Sequence, residues 1–218
     1  MSNRKELLLP IMKSRIIKET DKLPLMEDFF SIQGEGYFSG QAAYFLRIGG
    51  CDVGCNWCDV KESWNQDIHP LTSINDILKR IGKYPVSTVV VTGGEPLMWD
   101  MEPLTRELIK NDYKVHLETS GSHQLTGNFD WICWSPKKFK NSRDEIKNFA
   151  NELKIIVQNK HDLLWGEKYS EIVSEHCKLF LQPEWSRREK MIPLIIDYVQ
   201  NHPKWSISLQ SHKYMKIP

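Results

Sequence analysis

AAYFLRIGGCDVGCNWCD, residues 42–59, joins an apolar run rich in aromatic and branched side chains to a loop holding three of the chain's five cysteines. VVVTGGEP, residues 89–96, repeats the design: a β-branched run that breaks into glycines. Both runs have the length and composition of buried strands, predicted over 42–48 and 87–92. Similar runs predict strands over 114–118, 131–134, 153–157, 178–181 and 205–209. Between them, apolar residues at helical spacing predict helices over 74–81, where Ile74, Ile77, Leu78 and Ile81 share a face, over 101–110 with Met101, Leu104 and Leu108, and over 190–199. Strands alternating with helices argue for an α/β fold with a purely parallel sheet, an α/β barrel or part of one. GGEP (93–96), ETSG (118–121), SPK (135–137), QP (182–183) and QSHK (210–213) each follow directly on a predicted strand. They therefore collect at the carboxyl edge, where ligands bind in such folds. Any one of these motifs reads equally well as turn punctuation, but five together imply one site built from many segments.

The 218 residues suit one domain, and 40% hydrophobic with 26% charged residues excludes a disordered or fibrous chain. Lys and Arg total 29 against 28 Asp and Glu, a net charge of +1, so no global field draws a polyanion and nucleic acid is not expected as a direct partner. The opening MSNRKELLLPIMKSRIIKET lacks a continuous apolar segment and a small-residue cleavage site, and no run is long enough for a bilayer, so a cytoplasmic chain without a membrane span is expected. With no internal repeat or low-complexity linker, residues 1–24 read as an extension and residues 25–218 as one domain.

An odd number of cysteines without export signals makes a disulfide framework improbable. Cys51, Cys55 and Cys58 fall within eight residues as C-x3-C-x2-C, with Gly54 giving the loop freedom to aim three sulfurs at one place. Three thiolates suit an iron–sulfur cubane with one iron left open; structural zinc is the competing reading, although it favours four ligands and paired C-x2-C. Cys133 and Cys177 read as small core residues.

The cysteine spacing after one strand and GGEP after the next resembles the radical S-adenosylmethionine (SAM) superfamily, whose fold is a partial barrel with a mainly parallel sheet. FFSIQGEGYFSGQAAYFLRIGGCDVGCNWCD (29–59), VVVTGGEPL (89–97), HLETSG (116–121), WSPK (134–137), LQP (181–183) and SLQSHKYMKIP (208–218) together resemble the 7-carboxy-7-deazaguanine synthase (QueE) family of the queuosine pathway. The resemblance runs from about residue 26 to the end of the sequence. It implies a lyase that converts 6-carboxy-5,6,7,8-tetrahydropterin to 7-carboxy-7-deazaguanine with loss of ammonia, through a 5'-deoxyadenosyl radical. It implies Cys51, Cys55 and Cys58 as ligands of a 4Fe-4S cluster. SAM contacts would come from Trp57, Cys58, Asp59, Gly94, Ser135, Pro136, Lys137 and Gln182, and pterin contacts from Ile32, Gln33, Gly34, Glu35, Arg47, Thr92, Glu118, His212 and the Pro218 carboxylate. A flavodoxin-like electron donor and a homodimer belong to the same picture.

Physical reasons attach to many of these positions. Gly93 and Gly94 would let backbone approach the methionine part of SAM, and Glu95 offers an acceptor for loop or cofactor donors. Ser and Gln reach ribose or adenine edges, while Lys137 reads alternatively as a solvated surface lysine. The planar fork of Arg47 suits a substrate carboxylate, with an ion pair to Glu35 or Glu118 as its alternative. Glu118 suits the donor-rich edge of the pterin. One position departs from the family: where a Thr or Ser hydroxyl usually helps hold Mg2+, this chain has Val60, which cannot ligate a hard cation. Mg2+ is then either held by substrate, water and an oxygen such as that of Asp59, or needed only weakly. A radical SAM activase acting on a glycyl-radical protein shares the cysteine spacing and stands as the alternative function; a non-catalytic zinc or iron–sulfur module needs no convergent polar mouth.

Overall fold

Period-two alternation decides which side of the sheet each strand residue serves, and here both sides are occupied. A computed structural model describes residues 21–218. Its nine strands are β1 (Lys22–Ile32), β2 (Ala42–Ile48), β3 (Leu71–Ser73), β4 (Thr88–Gly93), β5 (Lys114–Thr119), β6 (Trp131–Trp134), β7 (Glu152–Val157), β8 (Lys178–Pro183) and β9 (Trp205–Ile207). They form one sheet in the order β3-β1-β2-β4-β5-β6-β7-β8-β9. The helices are α1 (Ile74–Ile81), α2 (Glu102–Lys110), α3 (Ile146–Phe149), α4 (His161–Ser170), α5 (Arg188–Asn201) and α6 (Ser211–Met215).

From β2 to β9 every pairing is parallel. The expectation of a purely parallel sheet fails at one edge, where β1 runs antiparallel to β2 and to β3. β1 reads KLPLMEDFFSI, and its Pro24, Glu27 and Asp28 mask the strand signal in sequence. They are tolerated because charge finds partners there: Asp28 accepts from Tyr44 at 2.6 Å and from Arg80 at 2.8 Å. β1 also starts at Lys22, with Leu23 buried, so residues 22–24 belong to the domain rather than to the expected extension. The rest of that extension, residues 1–20, lies outside the described residues. β3 and β9 stand at opposite edges, which makes the sheet an open, partial barrel.

One face carries Leu46 and Ile48 of β2, Val89 and Val91 of β4, Leu117 of β5, and Leu153, Ile155 and Val157 of β7, all packed with the helices in the main core. α1 follows the sequence prediction: Ser73 Oγ accepts from the Asp76 amide at 3.1 Å to cap it, and Ile74, Ile77 and Ile81 are buried. Each such side chain contributes roughly 1.5–3 kcal/mol by leaving water. α4 was not predicted, because HDLLWGEKYS has no clear apolar stripe; Gly166 lets it lie close to β7, where a Cβ would stand 3.2 Å from Ile155. The opposite face holds a small apolar cluster of Ala43, Phe45 and Val90 with Phe29, and farther along it polar residues such as Lys154 and Gln182 beside Ile156 and Phe180. No helix among the described residues is long and apolar enough to cross a membrane.

Candidate active site

The polar face of the sheet and the loops at its carboxyl edge enclose a cavity of about 850 Å3. The expected site residues line it, with one exception: Pro136 is buried off the wall, because the turn after β6 sends Ser135 and Lys137 inward and the proline between them outward. The five strand-end motifs therefore do converge.

The cysteine loop forms one wall. Cys58 donates its amide to the Cys55 carbonyl at 3.0 Å, and Gly54 takes φ of 72° to close the turn. Asp52 ties the loop down, accepting from Lys140 at 2.9 Å and pairing with His123 at 2.9 Å, contacts that sequence reasoning missed. Burial pushes the Cys55 thiol up to about 11 against the pull of Lys137, and burial likewise raises Cys51. Ligation would thus displace protons from these thiols. All five cysteines are free. Among the described residues no three His, Cys, Asp or Glu side chains gather on a single ion, as a closed zinc tetrahedron requires. An iron–sulfur cubane takes each thiolate on a different iron, and this open set of three half-buried cysteines fits that group.

GGEP also has a packing role. A Cβ on Gly93 would stand 2.1 Å from the Ile48 carbonyl, and one on Gly94 would stand 2.3 Å from the Gly50 carbonyl and 2.8 Å from Cys51 Cβ. The glycines let β4 meet the cysteine loop, whatever else Gly94 touches in the cavity. Glu95 is 1% exposed; Oε1 accepts from Leu97 N at 3.1 Å and Thr119 Oγ1 at 2.6 Å, and Oε2 from Ser120 N at 2.8 Å and Ser120 Oγ at 2.5 Å. It braces GGEP to ETSG. Lys137 is not a solvated surface lysine: it donates to Ser135 O at 2.5 Å and Oγ at 2.7 Å, and burial lowers its pKa against the pull of Cys55. Gln182 accepts from Ser208 Oγ at 2.7 Å, which in turn accepts from Gly36 N at 2.9 Å. Trp57 packs edge-on against Phe139.

Across the cavity, Arg47 pairs through Nε with Glu27 of β1 at 2.6 Å, a partner that neither alternative anticipated. The antiparallel register sets these two residues opposite each other, leaving the Nη fork for a ligand. Glu35 and Glu118 are bridged by Lys154 of β7, at 2.7 and 2.9 Å. Burial would raise the Glu35 carboxyl, yet Lys154 and Gln210 bring it to about 2. Lys154 was missed; its signal was a pair of charged residues two apart, Glu152 and Lys154, in ELKIIV, an otherwise apolar parallel strand. Cys133 is corrected too. It is buried but faces this cluster, its thiol 3.5 Å from Glu152 and raised by burial and by Glu118, whereas Cys177 does sit in the apolar core.

α6 closes the mouth. A Cβ on Gly34 would meet His212 Nδ1 at 2.2 Å, and the Gly34 carbonyl accepts from Ser211 N at 2.9 Å, so QGEG and QSHK fit as a pair. Burial lowers the His212 pKa against the pull of Glu35. Pro218 O accepts from Ser31 Oγ at 3.0 Å, beside Ile32 and Gln33. Asp59 is held by Lys213 at 2.5 Å, and Trp185 lies under that ammonium at 4.9 Å; neither Lys213 nor Trp185 was foreseen. Val60 and Thr92 complete the wall. Val60 supplies no oxygen, and Asp59 Oδ2 is already held by Lys213, so the position after the cysteine motif offers no hydroxyl for Mg2+.

The Radical SAM superfamily profile matches residues 46–126, the span from β2 to the loop after β5. The chain is 54% identical over 202 residues to a 7-carboxy-7-deazaguanine synthase of Flavobacterium psychrophilum, covering 93% of this chain and 96% of the relative. It is 43% identical to the protein of that name from Synechocystis, over 91% of this chain and 95% of the relative. Among solved structures, QueE from Escherichia coli superimposes with a TM-score of 0.78 at 31% identity, covering 86% of this chain and 93% of that one. Similarity of this extent, joined to a convergent three-cysteine cavity, means that the chain belongs to the 7-carboxy-7-deazaguanine synthase family of radical SAM enzymes.

Proposed function

We infer that the protein is a radical SAM lyase that converts 6-carboxy-5,6,7,8-tetrahydropterin to 7-carboxy-7-deazaguanine with release of ammonia, in queuosine biosynthesis. The observation that carries the reading is a single cavity in which a three-cysteine wall faces groups of opposite charge, Arg47 on one side and the Glu35–Glu118 pair on the other. The 4Fe-4S cluster and SAM, when bound, supply one-electron cleavage and hydrogen abstraction. Cys51, Cys55 and Cys58 would hold the cluster. Gly94, Ser135, Lys137 and Gln182, with Trp57 to Asp59, would hold SAM.

The protein's own work is orientation and exclusion of water. The pterin carries a carboxylate at one end and an amidine-like edge at the other. The Arg47 fork would take the carboxylate and Glu118 the amidine edge, which fixes the reacting carbon between them. Ile32, Gln33, Gly34, Glu35, Thr92, His212 and Pro218 would complete the enclosure as α6 covers the mouth.

The relatives that span this chain carry the synthase name, and the activase reading receives no support from them. We propose a flavodoxin-like electron donor, a homodimer and a cytoplasmic location on the family resemblance. The deciding test is anaerobic incubation of reconstituted, reduced protein with SAM and the carboxypterin, followed by mass analysis. Conversion to the deazapurine acid is expected. SAM cleavage without that product would overturn the substrate, and no SAM cleavage would overturn the enzyme class.

A further inference from the structure

Lys154 is a charged side chain that neither the cluster, SAM nor the pterin requires by any feature of its own motif, yet it sits in the floor of the cavity and is 4% exposed. Its Nζ lies 2.7 Å from Glu35 Oε2 and 2.9 Å from Glu118 Oε2. Glu35 reaches it from the loop after β1 and Glu118 from the end of β5, so one ammonium joins three elements distant in sequence. Gln210 Nε2 donates to the other Glu35 oxygen at 2.9 Å. Glu118 also meets the weak Cys133 thiol and lines the cavity, where its carboxylate can accept from a ligand.

We propose that Lys154 is a positioning residue for pterin recognition: by bridging the two carboxylates it keeps Glu118 aimed at the amidine-like edge of the substrate. This deepens the proposed reaction and rests on it. Without the bridge, Glu118 would be a half-buried carboxylate beside Glu152 with no cation against it, and would turn away. The groups that face Glu118 are Glu35 from the β1 loop, Lys154 and Glu152 from β7, and Cys133 from β6, with His212 of α6 acting on Glu35. Of these only Lys154 carries a fixed positive charge at contact distance.

The test uses the full chain loaded with cluster and SAM, left unreduced, and titrates the carboxypterin by quenching of tryptophan fluorescence across a pH series. Lys154→Met is expected to weaken pterin binding by about tenfold or more. It should also move the acidic limb of binding upward, because Lys154 is the main group that holds the Glu35 carboxyl low against its burial. SAM affinity and cluster absorbance should stay as in the wild type. Lys154→Arg keeps the charge but carries it on a longer, planar fork, and should weaken binding by about threefold or more. If either variant, loaded with cluster, binds the pterin as the wild type does with the same pH limb, the proposal is overturned. Should the methionine variant fail to take up a cluster, the arginine variant decides. Wild-type turnover is measured alongside: its failure sinks the substrate assignment, whereas turnover with unaltered variants sinks only the role of Lys154.

Discussion

Replacing Glu95 by glutamine separates a brace from a cofactor contact. Each carboxylate oxygen of Glu95 serves one backbone amide and one hydroxyl: Oε1 takes Leu97 N and Thr119 Oγ1, Oε2 takes Ser120 N and Ser120 Oγ. Whichever oxygen becomes the amide nitrogen, the hydroxyl there can turn and accept, but the backbone N–H cannot. One buried N–H is left without an acceptor, at about 1–3 kcal/mol. The remaining bonds also lose their charge assistance, roughly half their strength, partly offset by the easier burial of a neutral group. A net loss of about 2–3 kcal/mol follows, which for a chain of this size lowers the melting midpoint by about 5–10 °C. The assay is thermal unfolding of wild type and Glu95→Gln under anaerobic conditions, with and without reconstituted cluster. The loss should be present in both states, because the acceptors belong to the protein itself. A midpoint within about 1 °C of wild type in the cluster-free state would refute the brace.

Cys55→Ala should abolish the iron-linked visible absorbance and all SAM cleavage; a variant that still binds about four irons and turns over would remove Cys55 from the ligand set. Gly34→Ala puts a methyl group where His212 stands, at 2.2 Å from Nδ1, and should displace α6 at about 1–3 kcal/mol. It should raise KM for the pterin well above any effect on SAM binding, and an unchanged KM measured by initial rates would show that α6 does not cover the substrate. Because Val60 supplies no oxygen, turnover should change by less than about twofold when divalent cations are removed with chelator; a rate that collapses and returns with Mg2+ would place the cation on other ligands.

The fold was legible wherever a strand's two faces agreed with the simplest pattern. β2 and β4 are largely apolar runs that end in glycines, and α1 has a capped stripe, so their limits could be read within about a residue. β1 was not legible, because a proline and two acids interrupt it and the partners that make those acids tolerable, Tyr44, Arg47 and Arg80, come from other elements. The site was legible at strand ends, where residues with φ freedom and polar side chains cluster for chemical reasons. It was not legible in the middle of strands. Arg47 was noticed because it interrupts an apolar run just before the cysteines, but its Glu27 partner depends on an antiparallel register that the sequence does not announce. Likewise GGEP revealed its glycines but not their packing role: close approach to Ile48 and Gly50 is a fact of packing between β2 and β4.

Lys154 and Glu152 point to a general reason for that blind spot. In a sheet whose outer face meets helices, the inner face of a partial barrel is free to be either a second apolar core or a binding surface. β7 places Leu153, Ile155 and Val157 outward in the core and Glu152 and Lys154 inward, both nearly inaccessible to water. A buried cluster of this kind is seldom a net source of stability, since desolvation of the charges offsets most of their attraction and apolar residues of similar volume often do as well or better. Stability alone therefore does not account for charges there. Burial works to neutralise these groups, yet the Lys154 pKa is held well above its usual value by the acids around it, and Glu35 is held low by Lys154. Ionised groups kept charged at a cost, in the floor of a cavity roofed by the cysteine loop, are arranged for a ligand with complementary charges. The ligand that satisfies Arg47 and Glu118 together must be anionic at one end and a hydrogen-bond donor at the other. A carboxylated pterin has that polarity, and neutral pterin lacking the carboxylate should bind more weakly by the loss of one bidentate contact, about tenfold or more.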